Sequence, residues 1–357
     1  MATRMTLSLE RSDILSWLVE TDPTRLEALW READRVRKEH MGDEVHLRGL
    51  IEISNHCLRQ CHYCGLRAGN RNITRFRMTV DEILACASQA QAHGYGTVVL
   101  QAGEDESLTQ DGIAETIWRI KQETGLAISL SLGERSVDEL RVWREAGADR
   151  YLLRFETSNT ELFARMHPPR PGRHPSRIQL LRELGSLGYE VGSGVMIGIP
   201  GQSYADLVND LLLFRELNLD MIGVGPFISH PATPLGRAEV STPASQAPAS
   251  ELMTYKVLAI ARLLCPDANI PSTTALATLN LAEGRELGLQ RGANVVMPNL
   301  TPPQYRVLYE IYPAKACIRE TADSCNRCII GRIQRIGRSV GQGAGASPQY
   351  LRRRRGR

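Results

Sequence analysis

With 357 residues, 42% of them hydrophobic and 23% charged, the chain has an ordinary globular composition and room for one α/β barrel plus additions. The formal net charge of +3 is carried by the five arginines between Arg352 and Arg357, which excludes a general nucleic-acid surface. No run approaches the ~18 apolar residues of a membrane span. The start, MATRMTLSLERSDILSW, lacks a signal core, so a cytoplasmic protein with reduced thiols is expected.

Residues 8 to 40 read as two helices. Ser12-Asp13 is a candidate cap for the first, and Thr21-Asp22-Pro23 opens the second with proline in its first turn. Leu26, Leu29, Trp30, Ala33 and Val36 share one face of that second helix, which predicts packing on the main domain. From about residue 45 the pattern becomes strand–helix repeats. The predicted strands are VHLRGLIEIS, TVVLQAGED, AISLSLGE, RYLLRFETS, YEVGSGVMIGIPG, MIGVGPFIS, ANIPSTTA and ANVVMPNL. Capped helices separate them, one opening with the capping box Ser136-x-x-Glu139. Continuous apolar strands argue for a parallel sheet buried on both faces, and eight of them select a closed (β/α)8 TIM-type barrel. The expected organisation is an N-terminal helical extension (1–44), the barrel (45–312), a C-terminal cysteine-containing segment (313–345) and a basic disordered tail (346–357).

The loop after the first strand carries Cys57, Cys61 and Cys64, spaced C-x3-C-x2-C. Structural zinc takes four ligands in paired groups, so three thiolates on one short loop fit it poorly. A four-iron cluster normally takes four; with three, one iron is left open to a ligand that is not protein. A barrel gathers its chemistry at the strand C-termini. There the sequence has Gly103-Glu104-Asp105, Ser131 and Glu134, Arg154 with Glu156 and Thr157, Ser272 with Thr273 and Thr274, and Met297-Pro298-Asn299. Arg154 is either a buried ion-pair partner of Glu156 or a substrate clamp, since an unpaired buried arginine is costly. Thr273 and Thr274 are either pocket residues or β-branched strand filler. Met221 and Met297 read first as core packing.

The cysteine motif, with Tyr63 before its third cysteine, resembles that of the radical S-adenosylmethionine (SAM) superfamily, and Gly103-Glu104-Asp105 resembles its SAM amino-group contact, with Ala102 where many members have glycine. LQAGED, LSLGE, AGADRYLLRFETSN, GIPGQ, GPFISHPATPL, NIPSTTA and ANVVMPNLTPPQYRVLYEIYP resemble the HydE family of FeFe-hydrogenase maturases over residues 45 to 335. The resemblance implies a 4Fe–4S cluster on the three cysteines and reductive cleavage of SAM to a 5′-deoxyadenosyl group. It implies SAM contacts at Tyr63, Gly103, Glu104, Ser131, Glu156 and Arg177, the last a fork for the SAM carboxylate. It implies a substrate cavity at Arg154, Thr273, Thr274, Met297, Tyr309 and Tyr312, taking a cysteine-bound iron species with carbonyl and cyanide. Phe155 stands where some members have histidine, which puts the polarity beside Glu156 in question.

Cys317, Cys325 and Cys328 match positions that hold an auxiliary iron–sulfur cluster in some members, whereas Cys86 and Cys265 read as buried thiols. The implied partners are a one-electron reductant such as ferredoxin or flavodoxin and the companion maturases HydG and HydF. The rival readings are a methylornithine synthase-like or biotin synthase-like radical SAM enzyme, and a non-catalytic iron–sulfur scaffold.

Overall fold

The computed structural model describes residues 9–170, 176–238 and 245–356. The first eight residues, part of the arginine- and proline-rich loop from His167 to Pro175, part of the long loop from His230 to Ser250, and Arg357 lie outside the described residues.

The sheet is built from β1 (Glu44–Ser54), β2 (Thr97–Ala102), β3 (Ala127–Ser131), β4 (Arg150–Leu152), β5 (Glu190–Ile197), β6 (Met221–Pro226), β7 (Val295–Val296) and β8 (Ser339–Val340). The order is β6-β5-β4-β3-β2-β1-β7, every pairing is parallel, and β8 adds to the start of β1. β5 is buried along its whole length, as expected of a strand covered on both faces. The α/β barrel architecture read from the sequence holds, with one change in how it closes. The segment predicted as the seventh strand, 268–275, contributes only the bridges Met221–Asn269 and Pro271–Val295. Pro271 has no N–H to give a ladder, and Thr273 leaves the strand direction to cap the helix Thr274–Leu279. The eighth predicted strand shortens to β7, and β8 was not foreseen.

The helices follow their caps. Asp22 accepts from Arg25 N at 2.9 Å with Pro23 at the first helical position of Pro23–Met41, and Ser136 and Glu139 form the reciprocal box. The first helix, Arg11–Val19, starts earlier than read: Glu10 caps it, with Asp13 reaching back. Leu26, Leu29, Trp30 and Ala33 are buried as predicted, and Arg37 joins them while Val36 is half-buried.

One expectation for the C-terminus is corrected. The tail is not disordered over its described length: Ser347 caps a helix Pro348–Arg355, Tyr350 is buried, and Arg353 pairs with Asp220 at 2.5 Å. The cysteine segment packs on the barrel: Cys325, Ile329 and Ile333 of the helix Ala322–Arg335 belong to the same core. Between these, residues 341–347 cross the bottom of the barrel. The Ala344 carbonyl accepts from Arg150 and Thr97, and the Gly345 carbonyl from Arg48 and Asn269. The strand N-termini are thereby closed and the opposite mouth stays open.

Candidate active site at the open mouth of the barrel

The cysteine loop is held by side chain-to-backbone bonds at its base. Asn55 Nδ2 donates to the carbonyls of Thr74 and Leu308, both at 2.8 Å, and its Oδ1 accepts from Phe76 N at 2.7 Å. Arg75 donates to the carbonyls of Asn55, Leu66, Arg67 and Asn70. Burial raises the pKa of all three thiols, that of Cys64 to about 12. Charge on its neighbours pushes in the same direction: Cys61 feels Cys64 and Cys57, and Cys64 feels Cys57. Thiols whose pKa values are held this high lose their protons readily only to a cation that binds them together. Among the described residues no three His, Cys, Asp or Glu converge tightly enough for a single metal ion. A four-iron cube spreads its thiolates around a larger body, and this donor set fits such a group.

β2 approaches this loop so closely that a Cβ on Gly103 would lie 2.3 Å from the His56 carbonyl oxygen and 2.7 Å from Cys57 Cβ. The close contact brings Glu104 beside the cysteines. Gly133, at φ +78°, makes room from the other side, since a Cβ there would meet Glu104 Cγ at 2.1 Å. Glu104 is 7% exposed; its Oε1 accepts from Glu134 N at 3.3 Å and its Oε2 has no hydrogen-bond partner. Burial raises its pKa, against the pull of Arg59 and Arg177, each 3.6 Å away.

Around it stands a network of buried charges. Glu134 Oε1 receives Arg59 Nη2 at 3.1 Å and Arg177 Nε at 2.8 Å. His167 lies between the two guanidinium groups, 2.6 Å from Arg59 Nη2 and 2.7 Å from Arg177 Nη2. Burial and those two cations lower its pKa and keep it neutral. Arg177 also donates to the Arg154 carbonyl at 2.7 Å, so its fork is engaged by protein acceptors rather than left open. This network borders a cavity of about 380 Å3 that also includes Phe163 and Thr157.

A second cavity, of about 320 Å3, runs down the barrel axis. Of the residues singled out from the sequence, Tyr63, Cys64, Ser131, Arg154 and Glu156 line it, and so do Thr273, Thr274, Met297 and Tyr312. The two methionines read as core packing, Met221 and Met297, both face it, and Arg48 Nη1 donates to Met221 Sδ at 2.9 Å. Arg154 pairs with Glu156 at 3.2 Å, is about a third exposed rather than buried, and lines the cavity. Thr273 and Thr274 are not strand filler. Tyr309 is not in the lining; it is 2% exposed, its hydroxyl accepts from Gln101 Nε2 at 3.3 Å, and Lys315 Nζ lies 5.3 Å above its ring. Phe155 is not in the lining of this cavity; it packs on Phe214, ring centroids 5.6 Å apart, and lines the first cavity beside Arg177.

Several site residues carry no assigned role in the sequence reading. Arg59 lies between two of the cysteines, and that position was the available signal. His167 and the buried pair Lys315–Glu52, whose carboxylate also accepts from Asn299 Nδ2 at 3.0 Å, come from distant segments and left none. In the C-terminal segment, Cys317 adopts φ +59° and its thiol meets that of Cys325. A hydrogen bond from Cys325 lowers the Cys317 pKa, against burial. Cys328, one turn along the helix, is exposed; Cys86 and Cys265 are buried.

A model of the radical SAM superfamily matches residues 51–214. The chain is 46% identical over 316 residues to the FeFe hydrogenase maturase subunit HydE of Thermotoga maritima, covering 88% of this chain and 87% of that protein. It is 29% identical over 300 residues to a 3-methylornithine synthase of Methanosarcina barkeri, covering 82% and 80%. The crystal structure of methylornithine synthase superposes with a TM-score of 0.79 at 26% identity, covering 94% of each chain. Among the described residues no helix is long and apolar enough to cross a membrane. The thiol loop, the glutamate beside it and the axial cavity thus occur in a chain that belongs to the HydE family of radical SAM enzymes, a superfamily that works with a 4Fe–4S cluster and SAM.

Proposed function

We propose that this protein cleaves SAM reductively and acts in FeFe-hydrogenase maturation, on a cysteine-bound iron species carrying carbonyl and cyanide. Cys57, Cys61 and Cys64 would hold the cluster. When bound, that cluster with SAM supplies one-electron cleavage of the sulfonium C–S bond, giving methionine and a 5′-deoxyadenosyl group. The residues of the chain bind, orient and shield. The observation that carries the reading is Glu104: a buried carboxylate oxygen with no hydrogen-bond partner, beside the three-cysteine loop. Such an acceptor is costly unless a cationic donor completes it, and the SAM ammonium is such a donor. Arg59 and Arg177, through Glu134, fix the position of that carboxylate. Ser131 and Glu156, on the wall shared with the axial cavity, offer further polar contacts to SAM.

The axial cavity suits a small polar substrate. Arg154, Thr273, Thr274 and Tyr312 line it with donors, and Met221 and Met297 add polarizable walls. Tyr309 acts behind the lining by orienting Gln101. Cys317, Cys325 and Cys328 would carry a second iron–sulfur group that SAM cleavage does not require. The companions in this reading are a protein reductant and the maturases that supply and take the iron fragment.

The test is anaerobic reconstitution, reduction and incubation with SAM, with 5′-deoxyadenosine measured. No 5′-deoxyadenosine would leave only an iron–sulfur scaffold. Turnover with an isomerised amino acid as product would move the protein to the methylornithine synthase branch. Restored hydrogenase activity in cells lacking their own HydE supports the maturation role.

A further inference from the structure

His167 is 2% exposed and has a guanidinium at each ring nitrogen, Arg59 Nη2 2.6 Å from Nδ1 and Arg177 Nη2 2.7 Å from Nε2. A guanidinium can only donate, and a neutral imidazole has one N–H and one lone pair. In either tautomer, one ring N–H therefore meets a guanidinium N–H with no acceptor between them. The two cations and burial keep the ring neutral, and a second ring proton would only double the conflict. A buried donor without an acceptor is costly. Stacking fixes the ring there: its centroid is 4.9 Å from that of Phe163, and Arg177 lies 5.5 Å above the same phenyl group.

His167 lines the cavity of about 380 Å3, together with Ser158, Thr160, Phe163, Arg170, Ser176 and Ile178. The cavity lies between the helices Thr160–Met166 and Arg177–Ser186. None of those six residues lines the axial cavity, where Tyr63, Ser131 and Glu156 are found. Three arginines, Arg59, Arg170 and Arg177, face one acid, Glu134. Glu134 is shared by Arg59 and Arg177. Arg170 Nη2 donates to Glu106 at 2.5 Å, while its buried Nη1 has no partner among the described residues. The helix Arg177–Ser186 adds the positive end of its dipole, with Ser176 as cap and no acid in its first turn.

We propose that this cavity is a binding site for a small oxyanion, a carboxylate or phosphate group, separate from SAM. An anionic oxygen placed between the His167 N–H and the opposing guanidinium turns a donor–donor contact into two charge-assisted hydrogen bonds. Arg170 Nη1 and the first N–H groups of the helix Arg177–Ser186 supply further donors. Phe163 and Ile178 give apolar wall to a small organic body, and the volume is that of a small-molecule pocket. The site is distinct from that of SAM because the Arg177 fork is already on Glu134 and the Arg154 carbonyl. Arg59 and Arg177 also approach Glu104, so the ligand bears on the residues that position that carboxylate.

The test is calorimetry on the reconstituted protein with inorganic phosphate and, separately, with acetate, at constant ionic strength. Each titration is run without SAM, with SAM and with decarboxylated SAM. The variants are Arg170→Gln and His167→Phe; the second keeps a ring on Phe163 and removes the N–H. The parent should bind at least one anion saturably, with SAM absent or present, and each variant should bind it at least about fivefold more weakly. A Tm within about 3 °C of the parent shows that Arg170→Gln is folded. No saturable binding of either anion overturns the proposal. Equal binding by the parent and both variants also overturns it, by placing the ion elsewhere. Loss of anion binding with SAM but not with decarboxylated SAM overturns it too, because the oxyanion would then be the carboxylate of SAM. No readout requires SAM to be cleaved, so failure of the proposed function leaves the result standing.

Discussion

Arg154 Nε stands 3.2 Å from Glu156 Oε2 on the wall of the axial cavity, yet neither atom completes a hydrogen bond. Glu156 also holds φ at +65°, a left-handed conformation that costs a non-glycine residue about 1–2 kcal/mol. Strain and unsatisfied polar atoms at one residue mark a position kept for its side chain rather than for stability. Glu156→Gly relieves the strain while removing the carboxylate. We expect a Tm within about 3 °C of the parent and SAM cleavage reduced at least about tenfold. Retained cleavage would show that the carboxylate has no part in the reaction.

The two cysteine groups should separate cleanly. Cys61→Ala removes one of three thiols on the loop, and the SAM-responsive cluster signal in electron paramagnetic resonance should disappear. Cys325→Ala should leave 5′-deoxyadenosine formation within about threefold, because its thiol meets Cys317 in the C-terminal segment. Total loss of cleavage in the second variant would contradict an auxiliary role.

Gly103 is a steric requirement. With a methyl 2.3 Å from the backbone carbonyl of His56, Gly103→Ala must displace the cysteine loop from β2, an overpacking cost of about 1–3 kcal/mol. Iron content and SAM cleavage should both drop. An alanine variant that loads iron normally would mean that the loop moves freely.

Asp210 is fully buried and receives Ser158 N at 2.5 Å and Ser158 Oγ at 2.6 Å, which ties the chain after Glu156 to the helix Tyr204–Glu216. Burial raises its pKa to about 7, against those hydrogen bonds. An acid whose folded pKa exceeds its unfolded one binds more protons when folded across the interval between them. Its contribution therefore declines as pH rises from about 4 to 7 and is constant above that. Urea unfolding of the parent and of Asp210→Asn across this range should show the parent losing stability relative to the variant. A constant difference would place the titration elsewhere.

The barrel and the loop that carries its chemistry were legible because both rest on local patterns. Strand–helix alternation, the Ser136 box and the C-x3-C-x2-C spacing each involve neighbours in sequence, and each is found in the structure. The misreadings arose where one residue changed a neighbourhood. Pro271 and the Thr273 cap turned a predicted strand into two bridges, and Ser347 with Tyr350 turned a charged tail into a docked helix. Tyr309 was read as a pocket residue by its place in a motif, whereas its hydroxyl is engaged by Gln101.

Taken alone, the order of residues specified a thiol-bearing loop after the first strand of a parallel α/β barrel and a glutamate after the second. These follow from spacing, capping and hydrophobic period, which act over a few residues. It could not specify that Arg59, Glu134, His167 and Arg177 gather around Glu104 while leaving one oxygen without a hydrogen bond, or that residues 341–347 close the barrel bottom. Those depend on distance and burial between segments far apart in the chain, and the energy of a buried charge is set by both.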